Sequence, residues 1–353
     1  MSGNINLQGD IMLKIKVIKA FDGDCILISF IGNGDKVRNI LVDGGTNRTY
    51  HKNLKPVLKS IKDKGEYIDL LIVTHIHDDH VGGIVELYQD DEIDKNLIKK
   101  VWFNSKILLK TKAPDLEKFN EEISLYLSSD SKMGMKSANT LENKLRNQGH
   151  WEEKVILFGE ELNIDSAKIT VLSPTINGIK SLKKVMQVEE DETKLQAANK
   201  KDYNEKICDL IRKRFVEDTS DTNRTSISLI LEYDNKKLLL LGDCWPSDIV
   251  SSLQQLGYSI ENKLKIDYFK ISHHASKKNT SEELLDLIDC ENFIVSTDGS
   301  KHGHPNKEAL ARIIHKKSPV NLYFNYDIYN EIFTKEEIDN FKFQYYEVEE
   351  IEV

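Results

Sequence analysis

Apolar and polar positions along this 353-residue chain follow two rhythms, alternation at every second residue and recurrence at every third or fourth. Met12 to Ala20 alternates apolar residues with lysine, which predicts a strand. A turn at Phe21-Asp22-Gly23-Asp24 leads to a second strand over Cys25 to Ile31, and Gly32-Asn33-Gly34-Asp35 is a hairpin signal. Val37 to Val42 returns as a third strand and ends in Asp43-Gly44-Gly45. Leu54, Val57, Leu58 and Ile61 recur at helical spacing, so His51 to Lys64 predicts a helix that stops at Gly65. The run Ile68-Asp69-Leu70-Leu71-Ile72-Val73 predicts a buried strand, Ile84-Val85-Glu86-Leu87-Tyr88 the start of a helix, and Ile98 to Phe103 a further strand.

The rhythm changes over 106–150, where Leu116 to Leu127 and Ser137 to Arg146 predict helices. Val155 to Phe158 and Ile169 to Leu172 read as short strands, the second broken by Ser173-Pro174-Thr175. Residues 176–222 mix both charge signs around a partial helical stripe of Tyr203, Ile207, Leu210 and Ile211. We read an inserted helical lobe, whose charge runs are either solvated faces or a lid or partner surface. The second half restarts the first pattern. Ser226 to Tyr233 and Lys237 to Leu241 form a hairpin, Pro246 to Leu256 a helix, and Lys265 to Ile271 a strand ending at Ser272-His273-His274. Ser281 to Ile288 and Lys307 to His315 predict helices, and Phe293 to Ser296, Val320 to Asn325 and Phe341 to Val353 strands. Two runs of strands, each followed by strand–helix alternation, predict a mixed α/β protein with a two-sheet core and outer helices.

Composition narrows the class. A charged fraction of 30% with net charge −9 does not advertise a nucleic-acid binder, although a local basic groove is compatible with it. No apolar run approaches the ~20 residues of a membrane span. Met1 to Asp10 has neither the basic nor the apolar region of a signal peptide and reads as a loose leader. Cys25, Cys208, Cys244 and Cys290 are scattered with no CxxC, which points to buried thiols rather than disulfides. The expectation is a cytoplasmic protein without membrane contact.

The chemistry concentrates in Thr74-His75-Ile76-His77-Asp78-Asp79-His80-Val81-Gly82-Gly83, between a core strand and a helix. His75 and His77 are two apart, so in an extended segment their rings point the same way. Asp79 and His80 follow where the chain turns into the helix and can face a second ion beside the first. Imidazole with carboxylate suits Zn²⁺ best here, and also Mn²⁺ or Fe²⁺. Gly82 and Gly83 let the backbone pass close to the site. One loop cannot close a site for two ions, which needs a bridging carboxylate and at least one more histidine. Asp243 stands at the exit of the apolar strand Lys237 to Leu241, and His273-His274 at the exit of another.

The His-x-His-x-Asp-His run resembles the metal motif of the metallo-β-lactamase fold superfamily, which implies an αββα sandwich. The later motifs are similar to those of the soluble metallo-β-lactamase domain of ComEC-like DNA-uptake proteins. These are Asn223-Arg224-Thr225-Ser226, Gly242-Asp243, His273-His274 with Ala275 in place of glycine, and Gly303-His304-Pro305. The likeness spans nearly the whole chain except 106–150 and 176–222, and implies one hydrolase domain over 1–353 with those two stretches as helical insertions. It implies metal ligands at His75, His77, Asp79, His80 and Asp243, with Asp243 bridging one or two divalent ions. His273 is favoured as the further ligand and His274 as an outer or substrate group, the reverse assignment being open. Asp43 would support the metal loop from behind, and Asp78 would lie outside the ligands. Asp78 or Asp79 can orient the nucleophile, and His304 can protonate a leaving oxygen. Ser276, Lys277 and His302 are candidates for contact with substrate. Many relatives carry another metal histidine before the bridging aspartate; here only His150 lies between His80 and Asp243, in a loop-like context that reads as structural.

Three functions compete. The first is a phosphodiesterase, most simply a nuclease, in which a metal-bound hydroxide attacks phosphorus and nucleic acid is the partner. The second is hydrolysis of a small ester, lactone or phosphocholine-type substrate. The third is a scaffold that docks a partner protein through 176–222. The fold alone does not choose among them.

Overall fold

The computed structural model describes residues 13–105, 107–109, 129–181 and 201–353. The leader expected at 1–10, the helix expected at 116–127 and the centre of the lobe expected at 176–222 lie outside the described residues. In chain order the first strands are β1 (Leu13–Val17), β2 (Ile26–Ile31), β3 (Val37–Val42), β4 (Leu70–Val73) and β5 (Val101–Phe103). They are followed by β6 (Glu161–Ile164), β7 (Ala167–Ser173), β8 (Ser228–Tyr233), β9 (Lys236–Leu240), β10 (Leu264–Lys265) and β11 (Tyr268–Lys270). The last are β12 (Ile288–Asp289), β13 (Asn292–Val295), β14 (Asn321–Phe324), β15 (Gln344–Glu347) and β16 (Glu350–Glu352).

Two large sheets result, ordered β16-β1-β2-β3-β4-β5 and β15-β14-β13-β11-β9-β8-β7-β6, with a small β10-β12 pair beside them. Strand alternation sorts their side chains into layers. Ile40, Val42, Leu70 and Ile72 meet Leu229, Leu231, Leu238, Leu240 and Ile294 between the sheets. Leu41, Leu71 and Val73, one residue out of phase, pack instead on Val81, Ile84, Leu87, Leu141 and Leu145. These last belong to the helices Asp78–Gln89 and Ser129–Arg146. Leu239, Phe269, Phe293 and Val295 pack outward on Ile249, Leu253, Leu310 and Ile313, from the helices Pro246–Gln255 and Lys307–Lys316. The layers run helix, sheet, sheet, helix, a mixed α/β fold consistent with the metallo-β-lactamase type. Each inward Leu or Ile contributes about 1.5–3 kcal/mol by burial.

Each sheet changes from antiparallel to parallel partway across. β1 to β3 are antiparallel neighbours, whereas β3, β4 and β5 run parallel. In the second sheet β6 to β9 are antiparallel, and β9, β11, β13, β14 and β15 run parallel. Loops leaving the C-terminal ends of parallel strands therefore converge at one edge, where open α/β sheets build their sites.

Three expectations need correction. Val155 to Phe158 is not a strand: the Asn104 side chain donates to Ile156 O at 2.8 Å and accepts from Ile156 N at 2.8 Å, so one amide takes the place of a neighbouring strand. β6 is polar, which hid it, and among the described residues pairs only with β7. The single strand expected over Phe341 to Val353 is two, β15 in the second sheet and β16 beside β1 in the first. The last residues thus stitch the two sheets together. Between Tyr203 and Ile211 only Ile207–Leu210 is helical.

Candidate metal centre

The first part of the centre is built by β3, β4 and the start of the helix Asp78–Gln89. Asp43 ends β3 with φ +59 and turns its carboxylate behind the next loop. Its Oδ1 accepts from Thr74 N at 2.7 Å, and its Oδ2 from Thr74 Oγ1 at 2.7 Å and His80 Nδ1 at 2.8 Å. The Asp43 carboxylate accepts from Nδ1 of His80, so the proton sits there and Nε2 is the free ring nitrogen. His75 Nδ1 likewise lies 3.1 Å from Thr74 Oγ1, leaving Nε2 to face inward. Backbone contact holds this geometry. A Cβ on Gly83 would stand 2.0 Å from Gly44 O, and one on Gly23 1.9 Å from Asp79 O, so only glycine permits either approach.

Asp243, from the loop after β9, sits at the centre and is 1% exposed. Its two oxygens face different partners. His75 Nε2 and His273 Nε2 each lie 3.6 Å from Oδ2. His80 Nε2 lies 3.4 Å from Oδ1. His77 Nδ1 is 3.1 Å from His75 Nε2. Two nitrogens on one tetrahedral cation with bonds of ~2.05 Å would stand about 3.3 Å apart. On the other side, Asp79 Oδ2 is 3.8 Å from His80 Nε2 and 3.4 Å from His274 Nε2.

Among the described residues, Asp243 Oδ1 and Oδ2, His80 Nε2 and His274 Nε2 are buried and make no hydrogen bond. Burying an ionised carboxylate without partners costs several kcal/mol. A free imidazole nitrogen turned on a carboxylate oxygen is repulsive unless a proton or a cation stands between them. Burial opposes charge on His80, yet Asp243, Asp79 and Asp43 outweigh it and hold its pKa well above the imidazole range. Burial likewise opposes charge on Asp243, but His273, His80 and His75 keep it well below the usual carboxylate range. The centre favours positive charge at its core, and its nitrogen and oxygen donors suit divalent cations. His75, His77 and Asp243 form one group able to hold an ion, and Asp24, His80, Asp243 and His274 another.

The remaining expected residues divide. His304 is 8% exposed, with its ring 4.8 Å from that of His273 and 6.1 Å from that of His274. Burial, then the neighbouring imidazoles, push its pKa well below the ordinary value. His302 is exposed, its ring 6.0 Å from that of His304. Lys277 is at the surface, 3.9 Å from Glu308. Ser276 is buried, and its hydroxyl accepts from Lys278 N at 3.2 Å, which makes it a turn residue. Asp78 opens the helix, and one of its oxygens is buried without a partner. His150 stands apart and bonds Tyr88 Oη at 2.6 Å.

Sequence reading missed four residues here. Asp24 is buried, 3.4 Å from His274 Nδ1, and pairs with buried Lys270. Asn279 Oδ1 lies 2.9 Å from His273 Nδ1, and Asp218 accepts from Asn279 and Asn223. Lys270 shares its predicted strand with Lys265 and Asp267, so its charge did not stand out. Asp24 was hidden in a turn, and nothing local marks Asp218 or Asn279.

Residues 19–93 match the family model described as the metallo-β-lactamase superfamily. Over 76 residues the chain is 38% identical to the hydroxyacylglutathione hydrolase of Aliivibrio salmonicida (strain LFI1238), covering 22% of this chain and 26% of that protein. The hydroxyacylglutathione hydrolase of Vibrio campbellii (strain ATCC BAA-1116) is 37% identical over 76 residues, with the same shares covered. The match thus spans about 26% of the length of these curated relatives. Among solved structures, the chain is similar to the metallo-β-lactamase fold protein YhfI from Bacillus subtilis, at 13% identity and a TM-score of 0.42, covering 96% of this chain and 97% of that one. It is also similar to CmlA, a diiron β-hydroxylase from Streptomyces venezuelae, at 12% identity and a TM-score of 0.41, covering 98% and 54%. The family match takes in the entry strands and the loop with His75, His77, Asp79 and His80, and supports the metallo-β-lactamase superfamily for this fold.

Among the described residues, no helix is long and apolar enough to cross a membrane.

Proposed function

We propose that this protein is a metal-dependent hydrolase that cleaves phosphodiesters, with nucleic acid as the leading substrate. The observation that carries the reading is Asp243, whose two buried, unbonded oxygens each face histidine Nε2 atoms at 3.4–3.6 Å. Zn²⁺ suits this donor set best, and Mn²⁺ is the second candidate. When bound, such ions acidify water and polarise a phosphoryl or carbonyl oxygen. His75, His77, Asp79, His80, Asp243 and the His273–His274 pair would hold them. Asp43 keeps His80 in the tautomer that presents Nε2. His304, with its ring 4.8 Å from that of His273, is placed to donate toward the leaving oxygen. Lys301, 3.0 Å from Asp22, and exposed His302, its ring 6.0 Å from that of His304, supply donors near the centre.

Charge favours a phosphodiester. Two divalent cations balanced by Asp79 and Asp243 keep a net positive charge. A substrate that arrives with one negative charge and spreads more over its oxygens in the transition state is matched to it. The ComEC-like motif set points the same way. A second reading, hydrolysis of a small ester or thioester, is favoured by the 38% identity to a hydroxyacylglutathione hydrolase. That identity covers only 76 residues. A scaffold role through 176–222 is the third. Against it, the described end of this stretch docks on the body: Asp202 accepts from Lys307 N at 2.8 Å and from Glu308 N at 3.0 Å.

The test is turnover by protein loaded with Zn²⁺ or Mn²⁺ on bis-p-nitrophenyl phosphate, single- and double-stranded DNA, RNA and a hydroxyacylglutathione thioester in parallel. Cleavage of phosphodiesters supports the proposal. Turnover of the thioester alone replaces it with the second reading, and no metal uptake leaves the scaffold.

A further inference from the structure

The stretch between His80 and Asp243 lacks a histidine that reaches the centre, because His150 is engaged with Tyr88. His75, His77 and Asp243 Oδ2 would leave one half of a two-ion centre short of a ligand. We propose that the adjacent histidines His273 and His274 serve opposite halves of the centre. His273 completes the half made by His75, His77 and Asp243 Oδ2, and His274 the half made by Asp79, His80 and Asp243 Oδ1. This rests on the metal centre of the proposed function, not on its substrate.

The backbone supplies the first argument. His273, His274 and Ala275 all have positive φ, at 49°, 53° and 64°. Three successive non-glycine residues in the left-handed region are rare, and such strain persists where surrounding contacts impose it. His273 N donates to Gly242 O at 2.9 Å, and Asn306 N to Ala275 O at 2.9 Å, pinning the turn at both ends. The turn splays the two rings, whose centroids stand 5.9 Å apart at 68°.

Tautomers supply the second. Asn279 Nδ2 donates to Asp243 O at 3.0 Å and Asp218 Oδ2 at 3.2 Å, so its Oδ1 is the end that meets His273 Nδ1 at 2.9 Å. An acceptor there keeps the proton on Nδ1 and leaves the Nε2 lone pair facing Asp243 Oδ2, the same oxygen that faces His75. For His274 the acceptor is Ser296 O, 3.0 Å from Nδ1. Its Nε2 is therefore bare and faces Asp79 Oδ2 at 3.4 Å. Two neighbours in sequence thus present the same ring atom to opposite oxygens of the cluster. Asn279 and Asp218 act as positioning residues for His273, and Asp218 ties the end of the 176–222 stretch to the ion pair's first half.

Titration of chelator-stripped full-length protein with Zn²⁺, read by calorimetry, tests this. The wild type should take two ions. His273→Ala should lose at least about 100-fold in affinity for one ion and keep the other at wild-type affinity, which also shows that the variant is folded. Pairing assigns the halves. His77→Ala with His273→Ala damages a single half and should still bind one ion as tightly as the wild type. Asp79→Ala with His273→Ala damages both and should bind neither tightly. Asn279→Ala should weaken only the His273 half, by about 10–100-fold. The exchange Asn279→Asp with Asp218→Asn keeps the acceptor at His273 Nδ1 and the bond between the two side chains but loses the donor to Asp243 O, and should recover part of the loss. Two ions retained unchanged in His273→Ala, or equal outcomes for the two double variants, overturn the assignment while leaving the metal centre standing. No ion bound by the wild type overturns the centre itself.

Discussion

Lys270 and Asp24 form an ion pair behind the histidine cluster, with side chains 1% and 3% exposed. The pair joins β11, which leads into His273–His274, to the turn between β1 and β2. Burial alone would raise the pKa of Asp24, but Lys270 and then His274 overcome it and hold the carboxyl well below its usual range.

Removing one partner strands a buried charge. Lys270→Met should therefore destabilise the protein by about 3–5 kcal/mol in urea unfolding. Lys270→Met combined with Asp24→Asn removes both charges and should recover most of the loss. Equal destabilisation in the single and double variants would show that packing, not charge, is what Lys270 contributes.

Gly83→Ala should destabilise more than its chemistry suggests. Its Cβ would meet Gly44 O at 2.0 Å, backbone against backbone, so the helix that carries Asp79 and His80 has to move. Overpacking of this kind typically costs about 1–3 kcal/mol. We expect the melting transition to fall and Zn²⁺ affinity with it. Gly159→Ala, where a Cβ meets nothing within 4 Å but φ is +87°, should cost only the left-handed strain of about 1–2 kcal/mol and leave Zn²⁺ affinity unchanged.

The acid limb of stability is expected to depend on Glu337. Burial raises its pKa, but the hydrogen bond from Lys307, then backbone donors at Thr334 and Ile207, bring it below the ordinary glutamate value. A depressed carboxyl contributes stability above its unfolded pKa and loses it as the pH falls through the folded one. The gap in unfolding free energy between wild type and Glu337→Gln should therefore be larger at pH 7 than at pH 3. An equal gap at both would mean that the Lys307 pair contributes no charge-dependent stability.

Much of the fold was legible because its signals are local. The unbroken apolar runs Ile40 to Val42 and Leu70 to Val73 mark strands buried on both faces. The strand exits at Asp43, Asp243 and His273 then fall at one edge because parallel strands share a direction. What escaped is long-range. Asn104 reaches Ile156 across 52 positions to replace a strand neighbour, and no window of sequence holds both. β15 and β16 read as one strand because the chain stays alternating while it leaves one sheet for the other. At the centre, the His-x-His-x-Asp-His loop stands out since its residues are contiguous. The tautomers of His273 and His274 depend on Asn279 and on a backbone carbonyl at Ser296, which composition does not reveal.

The most direct measurement of the central claim is metal-loaded turnover of bis-p-nitrophenyl phosphate by wild type and Asp243→Asn, each checked for folding and ion content. Losing the carboxylate that faces both groups of histidines should cost ions, and at least ~10²–10³ in rate, the loss typical of a single oxyanion contact. The account predicts cleavage by the wild type and its collapse in Asp243→Asn. A wild type that binds its ions yet leaves this diester and nucleic acid intact while hydrolysing a thioester would contradict it.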